Sequence, residues 1–588
     1  MKVSRPVLAH EELSVTGGMV VAQHPLGARI GAGVLERGGN AVDAAVTTAF
    51  AMGVLQPLMN GVGGGGVMIV RHASGETGAI DFGMRAASGA RPDMYELEDQ
   101  RDRPRAGDVR FSRQFAWPGV KGQANQRGHS SVAVPGTAAG MAAALERWGT
   151  MSLDQALAPA IRLAREGFKV GHHFTLALVA GRALLTQYPG TAPIFYPNGG
   201  PVPVGGVFVQ ADHARTLELI AQQGPDGFYR GEVAQRIARD MASNGGVIRE
   251  ADLAAYAPTR YEQAIPGTYR GFNFFAMPGP NAGTTATEIL NILDHHELSG
   301  HAWGSVQALH LVIEAIRRAA ADRFTFLGDH PEARFDVLRS RDFASTRAAT
   351  INLKSAGAAV AGEPWKALGR RKPSGFPAPS GAPPDGGTTH ITVVDRKRNA
   401  VGLTQTNMGY SGVVVPGVGV MMNNAMGWFY PGPGTVNSIV PGGRGLNNMT
   451  PMILERSGRL HAVLGASGGR RIWTAVTQSI VNHIDFKMSL QAAMQAPRVH
   501  VESDDVLLDG RFGAEVRAGL EKLGHRVTVA TPYYDRSPFS EPNGIAVRGR
   551  TLRSAIYPVA KPTFAAGYPG DDGSGAETML DAGLELHP

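Results

Sequence analysis

The sequence of 588 residues contains no cysteine. Without a thiol, the protein can form no disulfide, no thiolate metal site and no cysteine nucleophile. It also lacks any run of about 18 apolar residues, the length that a membrane-spanning helix needs. The stretch from Met1 to Gly18 contains no apolar core of a secretory leader. We therefore expect a cytoplasmic protein that does not enter a membrane.

Blocks of like charge are absent too. The 57 basic and 50 acidic residues are scattered and leave a mild net charge of +7, so we expect no nucleic-acid partner. The histidines at 295, 296 and 301 miss the spacing of a zinc-binding H-E-x-x-H helix, because position 300 is glycine. We expect no metal and no cofactor.

Glycine is abundant, with 77 residues and no repeat period, which indicates tight turns and closely packed backbones rather than a fibre. The length predicts about two to four domains of an ordinary globular protein. A mainly helical middle runs from about Pro135 to Leu353. Within it, Leu153 to Glu166 and Val306 to Phe326 have apolar residues at helical spacing.

The composition then changes abruptly. Residues 362–387 are rich in proline, glycine and serine, which predicts an exposed, irregular segment. A β-hairpin is predicted next, with strands at 388–395 and 400–407. Further strands are predicted at 417–422 and 460–464, and a helix at about 471–484. A loop followed by a strand is common, and this pattern alone predicts no chemistry.

Several segments, taken together, resemble the γ-glutamyltranspeptidases. Gly387-Thr388-Thr389-His390, with 393–395 and 399–401, resembles the start of that family's small subunit. Other segments resemble the family in the same order along nearly the whole chain: 38–44, 134–137, 314–317, 321–323, 423–424, 448–451 and 465–469.

The resemblance implies an α/β fold, the four-layer αββα sandwich of the N-terminal-nucleophile hydrolases. It implies a precursor that cleaves itself between Gly387 and Thr388 into a large subunit, 1–387, and a small subunit, 388–588. The implied partners are these two subunits, a small-molecule amide, water or an amine as acceptor, and a second processed copy in a homodimer.

Thr388 would be the nucleophile. A threonine hydroxyl needs a base beside it, and cleavage would create one, the α-amine of Thr388, with an ordinary pKa of about 7.7–8.0. By resemblance Thr406 would hydrogen-bond this hydroxyl; its position on a strand, taken alone, favours a plain sheet residue. Gly468 and Gly469 match the family's oxyanion pair, whose N–H groups stabilise developing negative charge.

The proposed substrate pocket departs from the family. The family's arginine for the substrate carboxylate falls at Gly83 here, and Arg85 is the expected substitute. No acidic residue follows Asn423-Asn424 to pair with a substrate ammonium. Trp428 to Tyr430 indicate either a pocket for an apolar or small acyl group, or loop packing. The predicted substrate-binding residues are Arg85, Asn407, Asn424, Trp428, Asn447 and Asn448.

The sequence therefore predicts a threonine amidohydrolase for a small or γ-glutamyl-like acyl group, acting as a hydrolase more than as a transpeptidase. Oxamate amidohydrolase-like or cephalosporin acylase-like activity is an alternative. Residues 465–469 also satisfy G-x-S-x-G, so Ser467 with Asp504 or Asp505 and His525 is a rival nucleophile arrangement. An uncleaved binding or scaffold protein is a further alternative.

Overall fold

The computed structural model of the protein describes residues 12–98, 117–330, 333, 335–367, 369, 371–372, 387–532, 538–559 and 562–570. Most of the predicted pre-cleavage segment, at 373–386, lies outside the described residues.

Nineteen strands are assigned among the described residues: β1 Ser14–Val15, β2 Gly18–Ala22, β3 Gly65–Arg71, β4 Thr77–Asp81, β5 Phe168–Lys169, β6 Val207–Phe208, β7 Thr259–Tyr261, β8 Ile265–Tyr269, β9 Phe272–Ala276, β10 Gly387–Val394, β11 Ala400–Met408, β12 Met452–Arg456, β13 Arg459–Ser467, β14 Val499–Val501, β15 Asp505–Asp509, β16 Arg526–Ala530, β17 Glu541–Arg548, β18 Thr551–Ile556 and β19 Phe564–Tyr568.

Eighteen α-helices accompany them in the same part of the chain: α1 Pro25–Glu36, α2 Ala41–Leu55, α3 Thr137–Trp148, α4 Leu153–Glu166, α5 His172–Leu185, α6 Ala192–Phe195, α7 Ala211–Gln223, α8 Asp226–Tyr229, α9 Gly231–Ser243, α10 Glu250–Ala254, α11 Gly283–Leu293, α12 Val306–Phe326, α13 Phe335–Leu338, α14 Arg341–Ala349, α15 Pro364–Ala367, α16 Ile472–Ile484, α17 Leu490–Gln495 and α18 Ala514–Lys522.

Two seven-stranded sheets form the centre of the molecule. One has the order β19-β2-β10-β11-β3-β4-β7, and the other has the order β1-β18-β17-β13-β12-β9-β8. A buried cluster that includes Val21, Val394 and Val463 lies between the sheets. Residues of α1 and α2 cover the outer face of the first sheet, and residues of α11, α12 and α16 cover that of the second. The predicted four-layer αββα sandwich is confirmed.

Both sheets combine strands from before and after Thr388. In the first sheet, β10 and β11 lie between β2 and β3, and in the second, β12 and β13 lie between β9 and β17. Because antiparallel ladders on both sides hold each inserted strand, a break in the chain at residue 387 would leave the two parts in one shared core.

Most predicted elements near the site are confirmed. The hairpin is β10 and β11, the strand at 460–464 is part of β13, and the helix after it is α16. Two long helices, α4 and α12, have the predicted bounds. The strand predicted at 417–422 is wrong. Gly417 and Gly419 both have φ of 71°, which turns the backbone, and only an isolated bridge joins Val414 to Met421.

No helix among the described residues is long and apolar enough to cross a membrane.

Candidate active site

Thr388 lies at the start of β10 and is 3% exposed. Side chains alternate along a strand. Thr389 contacts Gln56 of the helical layer at 3.2 Å, whereas His390 packs against Gly465 of the second sheet. Alternation therefore places the Thr388 side chain with that of His390, in the space between the two sheets.

Thr406 lies at an irregularity of the hairpin. Gly387 pairs with Met408 and Thr389 pairs with Gln405, so β11 has one extra residue opposite Thr388. Such bulges redirect side chains and are frequent beside active sites. Here the Thr406 hydroxyl donates a hydrogen bond to the carbonyl of Gly387, and it accepts one from the N–H of Met408 at 2.7 Å. The predicted partner of Thr388 thus contacts the peptide group that precedes Thr388.

The glycine-rich stretch at 61–66 approaches β11 closely. A Cβ atom on Gly64 would lie 2.3 Å from both the Thr406 carbonyl oxygen and Asn407 Oδ1, so no larger residue fits. The Asn407 amide nitrogen donates to the Pro57 carbonyl at 2.9 Å, while its Oδ1 is buried without a hydrogen-bond partner. Because this open acceptor lies next to Thr406, it is a candidate ligand contact.

The chain after β11 is strained. Met408 and Tyr410 have φ of 64° and 77°, in the left-handed region that few non-glycine residues adopt. Asn424 supports this turn, because its Oδ1 accepts from the N–H of Gly409 at 2.7 Å and its own N–H donates to the Asn407 carbonyl at 3.2 Å. The structure therefore brings Thr406, Asn407 and Asn424 together.

Trp428 ends a short 3₁₀ segment, Ala425–Trp428, that is buried throughout. Its ring belongs to an apolar cluster with Met84, Met408 and Met449. The Trp428 carbonyl accepts from Leu446 N–H at 3.2 Å. This places the segment of Asn447 and Asn448 beside the 3₁₀ segment, which has no acidic side chain.

Arg323, on α12, holds the paired asparagines. Its Nη2 donates to the Asn447 carbonyl at 2.5 Å and to Asn448 Oδ1 at 3.1 Å. Burial lowers the pKa of Arg323 to about 9, with Glu502 acting in the opposite direction. Because the Asn448 oxygen faces Arg323, its amide N–H groups point elsewhere. Sequence reasoning did not assign Arg323 to the site, although residues 321–323 were among the segments that resembled the family.

Gly468 and Gly469 form the turn between β13 and α16. Their φ values of 120° and 61° are in the region that favours glycine, and a Cβ atom on Gly468 would lie 2.7 Å from Ser540 Cα. The turn therefore requires glycine for its conformation and for its packing. Backbone N–H groups before a helix are suited to stabilising an anion.

Arg85 lies apart from these contacts. Its guanidinium donates to the Gly442 carbonyl at 3.0 Å and to the Thr259 hydroxyl at 2.9 Å, and it lies 6.0 Å from the centre of the Tyr256 ring. Met84, not Arg85, packs against Gly65, the strand partner of Thr406. The proposed role of Arg85 in holding a carboxylate stays a prediction.

The rival arrangement around Ser467 is not assembled. The Ser467 hydroxyl accepts from Gln23 Nε2 at 2.5 Å and lies 3.4 Å from a carboxylate oxygen of Glu541. His525 uses both ring nitrogens elsewhere, one with His310 at 2.7 Å and one with Arg317 at 3.2 Å. No ring nitrogen of His525 is left to act as a base for Ser467.

His310, Glu314 and His525 place three possible metal-ligand atoms within 4.8 Å of one another. The Glu314 carboxylate, however, is bonded by Arg317 and Arg318. Two guanidinium groups already neutralise the only carboxylate of this trio and would repel a cation. The trio is part of a buried salt-bridge network that does not suit a metal ion.

Comparisons with known proteins agree with this architecture. The family described as gamma-glutamyltranspeptidase matches residues 27–563. The acylase ACY 1 proenzyme of Pseudomonas sp. (strain SE83) is 38% identical over 516 residues, which cover 87% of each chain. The glutathione hydrolase proenzyme of Escherichia coli (strain K12) is 34% identical over 532 residues, or 87% of this chain and 86% of that one.

A solved structure, the cephalosporin acylase from Bacillus halodurans, superposes with a TM-score of 0.82 at 26% identity, over 97% of this chain and 99% of that chain. The family match spans both sides of Thr388 and both sheets. The protein belongs to the γ-glutamyltranspeptidase family of N-terminal-nucleophile amidohydrolases.

Proposed function

We propose that the chain cleaves itself between Gly387 and Thr388 and then hydrolyses amides through an acyl-enzyme on Thr388. The observation that carries this proposal is the hydrogen bond from the Thr406 hydroxyl to the Gly387 carbonyl. A donor on that oxygen polarises the one carbonyl that the Thr388 hydroxyl would attack. The proenzyme names of two relatives support a processed chain.

Self-cleavage would take place in two steps, an acyl shift to the Thr388 hydroxyl and hydrolysis of the resulting ester. The Thr388 hydroxyl oxygen adds to the Gly387 carbonyl carbon, the Gly387–Thr388 C–N bond breaks, and the Thr388 nitrogen takes the hydroxyl proton. Water then hydrolyses the ester, which releases the Gly387 carboxylate and leaves Thr388 with a free α-amine and its hydroxyl. This amine, with an ordinary pKa of about 7.7–8.0, is a suitable base at neutral pH.

Turnover repeats this chemistry on a substrate. The α-amine accepts the Thr388 hydroxyl proton, the oxygen attacks the substrate carbonyl, and the N–H groups of the Gly468–Gly469 turn stabilise the resulting oxyanion. The leaving amine takes the proton, and water hydrolyses the acyl ester.

We further propose that the preferred acyl group carries no α-ammonium. The 3₁₀ segment after Asn424 is apolar and buried, and a buried ammonium without a carboxylate partner is costly. The amide N–H groups of Asn448 remain as donors for an anionic or neutral acyl chain, and Asn407 Oδ1 remains as an acceptor. A glutaryl amide, which is a γ-glutamyl amide without the amine, fits these groups better than a γ-glutamyl amide does.

The test uses wild type and Thr388→Ala. Intact mass and N-terminal sequencing should find a fragment that begins Thr-Thr-His-Ile in wild type, and a whole chain in the variant. The processed enzyme should hydrolyse glutaryl-p-nitroanilide with a kcat/KM about 10- to 100-fold above that for γ-glutamyl-p-nitroanilide, the cost of an unpaired buried polar group. A wild-type chain that stays whole would instead support the scaffold alternative. A preference for the γ-glutamyl compound would refute the proposed acyl specificity.

A further inference from the structure

Gln23, the first residue after β2, is fully buried and joins the two sheets. Its Oε1 accepts from the backbone N–H of His390 on β10 at 3.3 Å. Its Nε2 donates to Ser467 on β13 at 2.5 Å and to Glu541 on β17 at 3.1 Å. Both ends of one side-chain amide are therefore used, one in each sheet.

These contacts lie on either side of the proposed reaction centre. His390 is two residues after Thr388, and Ser467 directly precedes the Gly468–Gly469 turn. Val21 and Val463, on β2 and β13, belong to the apolar cluster between the sheets. Alternation along each strand places Gln23 with Val21 and Ser467 with Val463 on this inner face, which the Thr388 side chain shares.

Ser467 is held at both its side chain and its carbonyl. Gln23 and Glu541 contact its hydroxyl, and the Ser540 hydroxyl donates to its carbonyl. The next two residues are glycines, which have the largest conformational freedom of any residue. The direction of their N–H groups therefore depends on how firmly the residue before them is fixed.

We propose that Gln23 is a positioning residue, which sets the distance between the strand of Thr388 and the Gly468–Gly469 turn by bridging His390 to Ser467. This inference rests on the proposed function, because it assigns no substrate contact to Gln23. Glu541 completes the arrangement by accepting from Gln23 and fixing the orientation of its amide.

The test compares kcat and KM of processed enzyme for glutaryl-p-nitroanilide. Gln23→Leu should lower kcat by about 10- to 100-fold, because small displacements of oxyanion donors have effects of this size. KM should change by less than about threefold, since the acyl pocket is built from other residues. Self-cleavage should proceed in this variant, because the hydrogen bond to the Gly387 carbonyl comes from Thr406, which is unchanged.

The control variant is Gln491→Leu. The Gln491 amide is also buried, and it hydrogen-bonds through both its nitrogen and its oxygen to the backbone of Ile556, at 2.8 and 2.7 Å. It should lower the melting temperature to a similar extent but leave kcat within about twofold. An equal loss of kcat in both variants would show that Gln23 has only the structural role of a core residue, and would overturn the proposal.

A swap of donor and acceptor provides the rescue. Gln23→Glu alone brings a second carboxyl group into contact with that of Glu541 and should lower kcat. The double variant Gln23→Glu with Glu541→Gln restores one amide and one carboxylate in reversed order, and should recover most of the kcat. Failure of the double variant to exceed Gln23→Glu would overturn the proposal. A wild-type chain that is uncleaved, or inactive on both anilides, would overturn the proposed function together with it.

Discussion

Replacement of Thr406 by valine removes one hydroxyl group and tests its contribution to self-cleavage. Valine has nearly the shape of threonine and suits a strand equally well, so the bulge in β11 should persist. Two hydrogen bonds disappear, the one donated to the Gly387 carbonyl and the one accepted from Met408. The first concerns the proposed scissile peptide, and the second supports the strained turn.

The expected effects differ in size. An unpaired buried N–H at Met408 should cost about 1–3 kcal/mol of unfolding free energy. Loss of a donor to a carbonyl that becomes an oxyanion typically slows a reaction by about 10²- to 10³-fold. Self-cleavage should therefore slow by about that factor while the chain still folds.

The assay follows the conversion of the 62.0 kDa chain into its two fragments by gel after synthesis at low temperature. Thr404→Val is the matched control, because Thr404 lies two residues earlier on β11 and its hydroxyl contacts His390 Nδ1 at 2.8 Å instead of Gly387. The control should cleave at nearly the wild-type rate. Equal rates for Thr406→Val and wild type would refute the role given to this hydroxyl.

Three further predictions concern charge in the core and the pocket. Burial lowers the pKa of His213 to about 4 and that of His390 to about 3. As the pH falls below about 6.5, these histidines therefore take up protons in the unfolded chain before they do so in the folded protein. The free energy of unfolding should fall towards pH 4 by up to about 1.4 kcal/mol per pH unit for each histidine. Urea unfolding midpoints that stay constant from pH 7 to 4.5 would contradict this. Burial, and then the Asp322 carboxylate, raise the pKa of Glu288 well above its ordinary value. The stability that protonated Glu288 contributes is therefore present at low pH and is lost as the pH rises. Glu288→Gln should raise the melting temperature at pH 8 but not at pH 4. Arg323→Met should release Asn447 and Asn448 and raise KM for glutaryl-p-nitroanilide about tenfold, without stopping self-cleavage. An unchanged KM would show that Arg323 does not contribute to substrate binding.

Local patterns in the sequence predicted the local elements. The apolar spacing of α4 and α12 predicted both helices with their bounds. The β-branched residues after Gly387 predicted the hairpin. The failed strand at 417–422 also has a local cause, since two glycines in left-handed conformation turn the chain where the apolar pattern predicted extension. The resemblance to a family assigned Thr388 its role, which no periodicity could do.

The tertiary structure decided which distant residues meet. Gln23 and Ser467 are 444 positions apart and touch only because the two sheets stack. Arg323 and Asn448 are 125 positions apart and meet only because α12 lies against the loop that precedes β12. Hydrophobic period and turn chemistry report on neighbours within a few residues, so they predicted the strands that carry the site. Contacts across the sandwich depend on the order and register of those strands, and these emerged only in the folded protein.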